Sequence, residues 1–227
     1  MIGTSTDRVN KGEEPVNEKF FDLKKEKQDR MLGAAFKAFA TAGYAHASTD
    51  DIVHDAGVSK GLLFHYFESK LGLYVFLYDY AVKFEQLEIA SCVGKDETDY
   101  FEMRAQRLKA QANCMRVYPY LPAFLDRADR EEDRSASTAV GAQIIAHAEA
   151  AKEFYARADL SRLRPEADIT MIGRMLSGAF RLTLWDVLRM EDVKVPEEYY
   201  RACMEYLNMM RQLCYAPADG STEEESL

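Results

Sequence analysis

The stretch AGVSKGLLFHYF, residues 56–67, decides how this 227-residue chain is read. It holds Leu62, Leu63, Phe64, Tyr66 and Phe67 within six positions. A helix buried on one side spaces its apolar residues three and four apart and keeps a polar face. Here almost no polar face is left, so a second side of the helix must be buried too or meet something other than water. Gly57 just before it suits a turn that needs positive φ, and Ser59 stands where a helix N-cap is expected.

Working outward, TDDIVHDAGVSKGLLFHYF (residues 49–67) divides into a helix of some eight residues, a glycine turn and a second helix of similar length. That is the helix-turn-helix pattern. Ser48 followed by Asp51 has capping-box-like spacing. Ile52, Ala56, Val58, Leu63 and Phe67 are the expected inner contacts. They leave Lys60, Gly61, Leu62, Phe64, His65 and Tyr66 on the outer side, with a gap at Gly61 and a basic end. Such a surface fits a DNA major groove, where a helix N-terminus and Lys approach phosphate and apolar edges meet thymine methyls. A preceding helix is predicted over about 20–41, with Leu32, Ala35, Phe36 and Phe39 as its buried stripe and Gly43 as its stop. Ser69 caps a fourth helix from Lys70 to about Ala90. Its aromatics, Tyr74, Phe76, Tyr78, Tyr80 and Phe84, lie around most of its circumference. A helix apolar all round is buried on several sides, as a connector between two units would be.

These residues carry a family resemblance. From about Lys24 to Leu77, with FATAGYAHAST, DIVHDAGVSKGLLFHYFESK and the long helix that follows, the chain resembles the DNA-binding domain of the TetR family of bacterial regulators. The resemblance implies an all-α fold: an N-terminal three-helix helix-turn-helix domain and a larger C-terminal helical domain for ligand binding and dimerisation. It implies that Thr49 and Lys70 meet phosphates, that Lys60, Gly61 and Leu62 approach base edges, and that Phe64 and Tyr66 lie against bases or backbone; Ser59 and His65 are counted among the DNA-binding residues. Phe64 replaces a usual Tyr and so lacks a hydroxyl, and Leu62 replaces a common Thr or Ser, favouring methyl contact. Asp50 and Asp51 bring negative charge to this side.

A net charge of −9 argues at first against nucleic acid, since DNA binders usually carry a basic footprint. Residues 19–70, however, hold eight Lys/Arg against seven Asp/Glu, and the remainder 21 against 31, so the acidity belongs to the later part. Cys92, Cys114, Cys203 and Cys214 form no C-x-x-C pair, and no His stands at zinc-finger spacing, so free thiols and no metal or cofactor are expected. With no membrane-spanning run and no signal-peptide core, the expected location is the cytoplasm.

The remaining segments also read as helical: about 98–117, a short piece at 123–128, 136–158, a helix opened by Pro165 and Glu166 that reaches Met190, and one opened by Pro196 that ends near Cys214. The charge run 126–134 reads as a solvated helix end and loop. The expected organisation is a flexible arm (1–19), the helix-turn-helix domain (20–70), a helical domain (71–215) and a disordered tail (216–227). Ile169, Ile172, Met175, Leu176, Ala179, Thr183 and Val187 form one apolar stripe, and Tyr199, Cys203, Tyr206, Met210 and Leu213 another. With Gly173 and Ser177 allowing close approach, residues 166–214 are expected to pair with their copies in a homodimer. Candidate lining residues for a small apolar or aromatic effector are Tyr78, Met103, Arg107, Met115, Tyr118, His147, Arg181 and Trp185.

The function expected from these observations is a ligand-responsive repressor acting on a double-stranded DNA operator. One alternative is a DNA-binding regulator that answers to a protein partner or to no ligand. An enzyme is disfavoured, because the sequence holds no G-x-S-x-G, H-E-x-x-H or phosphate-loop pattern.

Overall fold

The computed structural model describes residues 18–191 and 194–216. The expected arm and tail lie outside the described residues except at their inner ends. A short 3-10 helix (Glu18–Asp22) leads into α1 (Lys25–His46), α2 (Thr49–Ala56), α3 (Lys60–Phe67), α4 (Lys70–Cys92), α5 (Tyr100–Val117), α6 (Leu121–Ala128), α7 (Arg134–Ala156), α8 (Ile169–Val187) and α9 (Val195–Cys214). Among the described residues there is no strand beyond two isolated bridges, and no helix is long and apolar enough to cross a membrane. The all-α expectation holds.

Serine caps fix the boundaries of the early helices. The Ser48 side chain accepts from the Asp50 and Asp51 amides, Ser59 from Leu62 and Ser69 from Gly72. Each satisfies donors that a helix start leaves unpaired. Gly57, at φ 63°, closes α2 in the left-handed region. Gly43, at φ 71°, breaks α1 near its end, at the predicted stop.

α4 runs through the centre and packs against α1, α3, α5, α6 and α7. It buries Leu73, Tyr74, Leu77, Tyr78, Ala81 and Glu85, which is why its sequence lacks a wet face. One hydrophobic core extends from Phe20 through α1–α4 into α5, α6, α8 and α9. The helix-turn-helix unit is therefore joined to the rest by packing: Phe124 of α6 meets Phe36 and Phe39 of α1 and Tyr74 of α4.

Two expectations are corrected. The charge run 126–134 is a junction as well as a solvated end. Glu131 accepts from the Tyr44 amide at 2.8 Å, Arg127 lies against Gly43 and Asp133 caps α7. The helix expected from Pro165 begins only at Ile169, because Asp168 supplies the capping oxygen. Before it, Asp159 pairs with Asp99 and Leu163 with Tyr215 in extended backbone.

Candidate functional site

The α2–α3 turn holds α3 with one side against the core and the other open. Leu63, Tyr66 and Phe67 are buried, Lys60, Gly61 and His65 are exposed, and Leu62 and Phe64 are half-buried. A Cβ on Gly61 would meet nothing within 4 Å, so the expected gap is real and faces outward. Thr49, half-buried, opens α2 beside Ser48.

Tyr66 departs from the sequence reading. It is 9% exposed, and its ring meets Phe20 edge-on at 5.8 Å. Phe20, from the short helix ahead of α1, is fully buried and also contacts Phe67 and Phe76. The inner side of α3 is thus wider than two flanking helices alone would make it, and Tyr66 belongs to that side. The crowding of aromatics in residues 62–67 is explained by core on more than one flank and by the half-exposed Leu62 and Phe64 on the open face.

The basic groups are also engaged. Lys60 Nζ lies 2.8 Å from an Asp50 carboxylate oxygen, an ion pair exposed on both sides and so of small worth by itself. Lys70 Nζ donates to the Ala45 carbonyl at 3.2 Å and sits 4.7 Å from the centre of the Tyr44 ring. Partial burial pushes the Lys70 ammonium down from its ordinary value, and Asp133 and Glu131 pull it part of the way back. Lys70 thereby ties the start of α4 to the end of α1.

Sequence reasoning missed Phe20, and it also missed Gly72. A Cβ on Gly72 would lie 2.1 Å from the Phe67 carbonyl oxygen, so this glycine permits the close α3–α4 turn. A glycine one turn into a helix after a capping serine was the available signal.

In the larger part of the chain, an inner cavity of about 290 Å³ lies among α4–α9. Of the residues expected to line a pocket, Arg107, His147 and Arg181 are on its walls. Tyr78, Met103, Met115 and Tyr118 are instead fully packed in the core. Tyr118 bonds with Asp29 and Tyr80, while the buried Tyr78 hydroxyl has no hydrogen-bond partner among the described residues. Trp185 donates its indole N–H to Asp126 at 3.2 Å across the α6–α8 contact and lines a separate cleft with Gly43, Arg127 and Glu131. Tight core packing accounts for these placements: on α4 and α5 the large side chains fill the helix–helix seams, and the space remains where polar residues meet.

On the cavity wall stands Glu85, which sequence reasoning passed over inside a largely apolar helix. Its carboxylate lies 2.8 Å from His147 Nε2 and 3.6 Å from Arg107, and the side chain is only 5% exposed. Burial pushes the Glu85 carboxyl up, but Arg107, His147 and a hydrogen bond with Gln111 together outweigh burial and hold it below the usual glutamate range. Beside it, Tyr199 donates to Gln111 at 3.0 Å. The walls are therefore more polar than the expected apolar or aromatic pocket. A second cavity of about 290 Å³, between α4 and α7, shares Glu85, Arg107 and His147 with the first.

Gly173 also departs from expectation. A Cβ there would come within 3.0 Å of the Arg104 guanidinium and 3.1 Å of the Tyr100 hydroxyl. Its smallness serves α5 within the same chain, and Ile172, Leu176, Thr183, Val187, Tyr199 and Cys203 likewise face inward. The exposed face of α8 instead carries Met171, Met175 and Leu182, and that of α9 Tyr206, Met209 and Leu213. Gly178 falls between Met175 and Leu182 on the helical surface, with nothing within 4 Å of its Cβ position.

Comparison with known proteins bears on the same regions. Residues 31–75 match the family described as bacterial regulatory proteins, tetR family. An HTH-type transcriptional activator, FasR of Mycolicibacterium smegmatis, is 44% identical over 50 residues, which is 22% of this chain and 23% of that protein. The match thus spans about a quarter of that relative's length. A TetR family transcriptional regulator from Chloroflexus aurantiacus superposes with a TM-score of 0.58 at 17% identity, covering 88% of this chain and 98% of that one. A TetR family regulator from Agrobacterium tumefaciens gives a TM-score of 0.60 at 16% identity, covering 84% and 98%. At such identities the two structures show the shared fold.

Proposed function

Because the chain belongs to the TetR family of bacterial helix-turn-helix regulators, we propose that it is a transcriptional repressor that binds its operator as a homodimer and is released by a small molecule in the larger domain. The observation that carries the reading is α3. It is pinned on its inner side by Phe20, Leu63, Tyr66 and Phe67, while Lys60, Gly61, Leu62, Phe64 and His65 present an open face. In a major groove, the Lys60–Asp50 pair would exchange for contact with DNA, and Leu62 and Phe64 would meet thymine methyls. Thr49 at the start of α2 and Ser59 at the start of α3 would approach the phosphates.

The dimer reading rests on the outer stripe of α8 and α9. Six large apolar side chains exposed on two adjacent helices form the kind of patch that monomers rarely leave to water. Gly178 would let a second copy approach. Two copies would then set their α3 helices toward successive major grooves, about 34 Å apart. The ligand reading rests on the cavities around Glu85, on the same helix that Lys70 ties to the DNA-facing unit.

Gly61→Leu tests the DNA face. The added side chain points into open space, so the fold should be kept, while operator affinity in a gel-shift or anisotropy titration should drop at least a hundredfold. Unchanged operator binding by a folded Gly61→Leu protein would remove α3 as the groove reader. Leu182→Glu tests the interface: sedimentation should show dimers for the parent chain and monomers for the variant, and a parent chain that sediments as a monomer would end the dimer reading.

A further inference from the structure

The cavity between α4 and α7 differs in chemistry from the inner one. Apart from Gln86, its uncharged walls are apolar: Ile89 and Ala90 from α4, Val93 beyond it, and Ala150, Ala151 and Phe154 from α7. Its charged residues lie at two ends. At the inner end stand Glu85, Arg107 and His147, whose charges are already matched to one another. At the outer end stand Lys95 and Arg157. Arg157 donates to the Lys95 carbonyl at 3.3 Å, and its guanidinium lies 4.9 Å from the centre of the Phe154 ring. Neither cation is in an ion pair among the described residues, and the only carboxylate on the cavity wall is Glu85, taken up at the other end.

We propose that this cavity binds an amphipathic organic acid, with its anionic head at Lys95 and Arg157 and its apolar body between α4 and α7, ending against the Glu85–Arg107–His147 cluster. This rests on the reading of the protein as a ligand-responsive regulator and names the chemistry of the ligand. Charge decides the orientation. A head at the inner end would have to displace Glu85 and leave a buried carboxylate unpaired, which is strongly unfavourable. A head at the outer end meets two cations that have no anion to lose. Size sets the body: at roughly the 30 Å³ that a water-sized group takes up in a liquid, the cavity's volume of about 290 Å³ holds some ten methylene-sized groups.

α7 suits the role of a wall that opens for such a body. Its 23 residues bury only Ala136 and Val140, both in its first two turns, and further along His147 ties it to α4. A ligand lodged between the two helices touches α4 at Ile89 and Ala90, on the helix whose first residue holds α1 through Ala45.

The test is a binding series on the full-length protein: octanoate, dodecanoate and hexadecanoate against alkyltrimethylammonium ions of the same lengths. All are kept below micelle formation and measured by displacement of an environment-sensitive fluorophore and by calorimetry. The expected result is a preference of at least tenfold for dodecanoate over the matching cation. Joint replacement Lys95→Ala with Arg157→Ala should reduce that preference about tenfold, and Ile89→Trp, which fills the cavity, should abolish binding. Ala150→Phe blocks the same space from the α7 side and serves if Ile89→Trp fails to fold, as judged by circular dichroism. Equal or stronger binding of the cations, no binding of either series, or dodecanoate binding untouched by both blocking variants would overturn the proposal. Operator affinity is read separately. If dodecanoate binds as described yet leaves operator affinity unchanged, the site stands and the release reading fails. If another class of molecule releases the operator while no carboxylate binds, the release reading stands and this site does not.

Discussion

The DNA-facing unit and α7 spend their residues in opposite ways. α2 and α3 have eight residues each, too short to hold as isolated helices. They are fixed by a serine cap at each start, a left-handed glycine between them, and aromatics packed from the short helix ahead of α1 and from α4. α7 is nearly three times as long, rich in alanine, and leaves Ile145 exposed. It is helical by propensity and is positioned by few contacts, with His147 to Glu85 prominent among them. In the proposed function the first arrangement is a rigid reading head, whose geometry must match a groove. The second is a wall whose displacement is cheap, which the proposed effector site needs, because regions that move are drawn from the weakly anchored parts of a fold.

The sharpest way to break that contrast is to cut the anchor of α7. Glu85→Gln keeps the volume but removes the anion, leaving Arg107 largely buried and uncompensated; the expected cost is about 3–5 kcal/mol in urea unfolding. Hydrogen exchange should show the second half of α7 losing protection before α2 and α3 do. The substitution also carries a pH signature. In the fold the Glu85 carboxyl lies below its ordinary value of 4.5. Its contribution is therefore complete above that value and is lost as pH falls toward and through the lower folded one. The parent should lose stability more steeply on acidification than the variant, by up to one proton's slope. Equal slopes would show that Glu85 is not held ionised by its partners.

Next in size is a change in the rigid unit. Gly72→Ala places a methyl where the Phe67 carbonyl oxygen stands 2.1 Å away. Backbone cannot yield as a flexible side chain does, so a loss of about 3 kcal/mol is expected, against a small gain for alanine at an unconstrained helical site. A thermal melt decides between the two signs.

The two regions also differ in how much of them the sequence disclosed. The helix-turn-helix was legible because its requirements are local. Ser48, Gly57, Ser59 and Ser69 each act on backbone within three residues, and the structure finds them in those roles. The side of α3 on which Tyr66 falls was not legible, because Phe20 lies over forty residues away and the chain returns it to α3 only through the tertiary fold. The same applies to Glu85. An acid such as Glu85 in LYVFLYDYAVKFEQ reads as an exposed residue of a helix, and only the arrival of Arg107 from α5 and His147 from α7 makes its burial tolerable. Gly173 had the right residue type for a close helix contact, but periodicity does not say which neighbour approaches, and it is α5 of the same chain. Met103, Met115 and Tyr118 fit a cavity or a core equally well by composition. Volume filling across helices settles the matter in favour of the core.

The smallest effect tests whether the rigid unit carries strain of its own. Glu68, between α3 and α4, has φ 61° and ψ −44°, a left-handed conformation that costs a residue with a Cβ on the order of 1–3 kcal/mol. It is held there because the Ser69 amide reaches back to the Phe67 carbonyl at 2.6 Å and the Glu68 amide to that of Phe64 at 2.9 Å, so the turn is fixed at both ends by backbone. The side chain itself is exposed and contributes no burial. Glu68→Gly should relieve the strain while adding about 0.5–1 kcal/mol of lost chain entropy on folding, for a net gain of about 1 kcal/mol. In a protein of this length that corresponds to a rise of about 2–4 °C in Tm. Glu68→Ala keeps the Cβ and therefore the strain, so its Tm should stay near that of the parent. If alanine stabilises as much as glycine, the benefit comes from losing the glutamate charge, and the turn between the groove-facing helix and the connector is not strained.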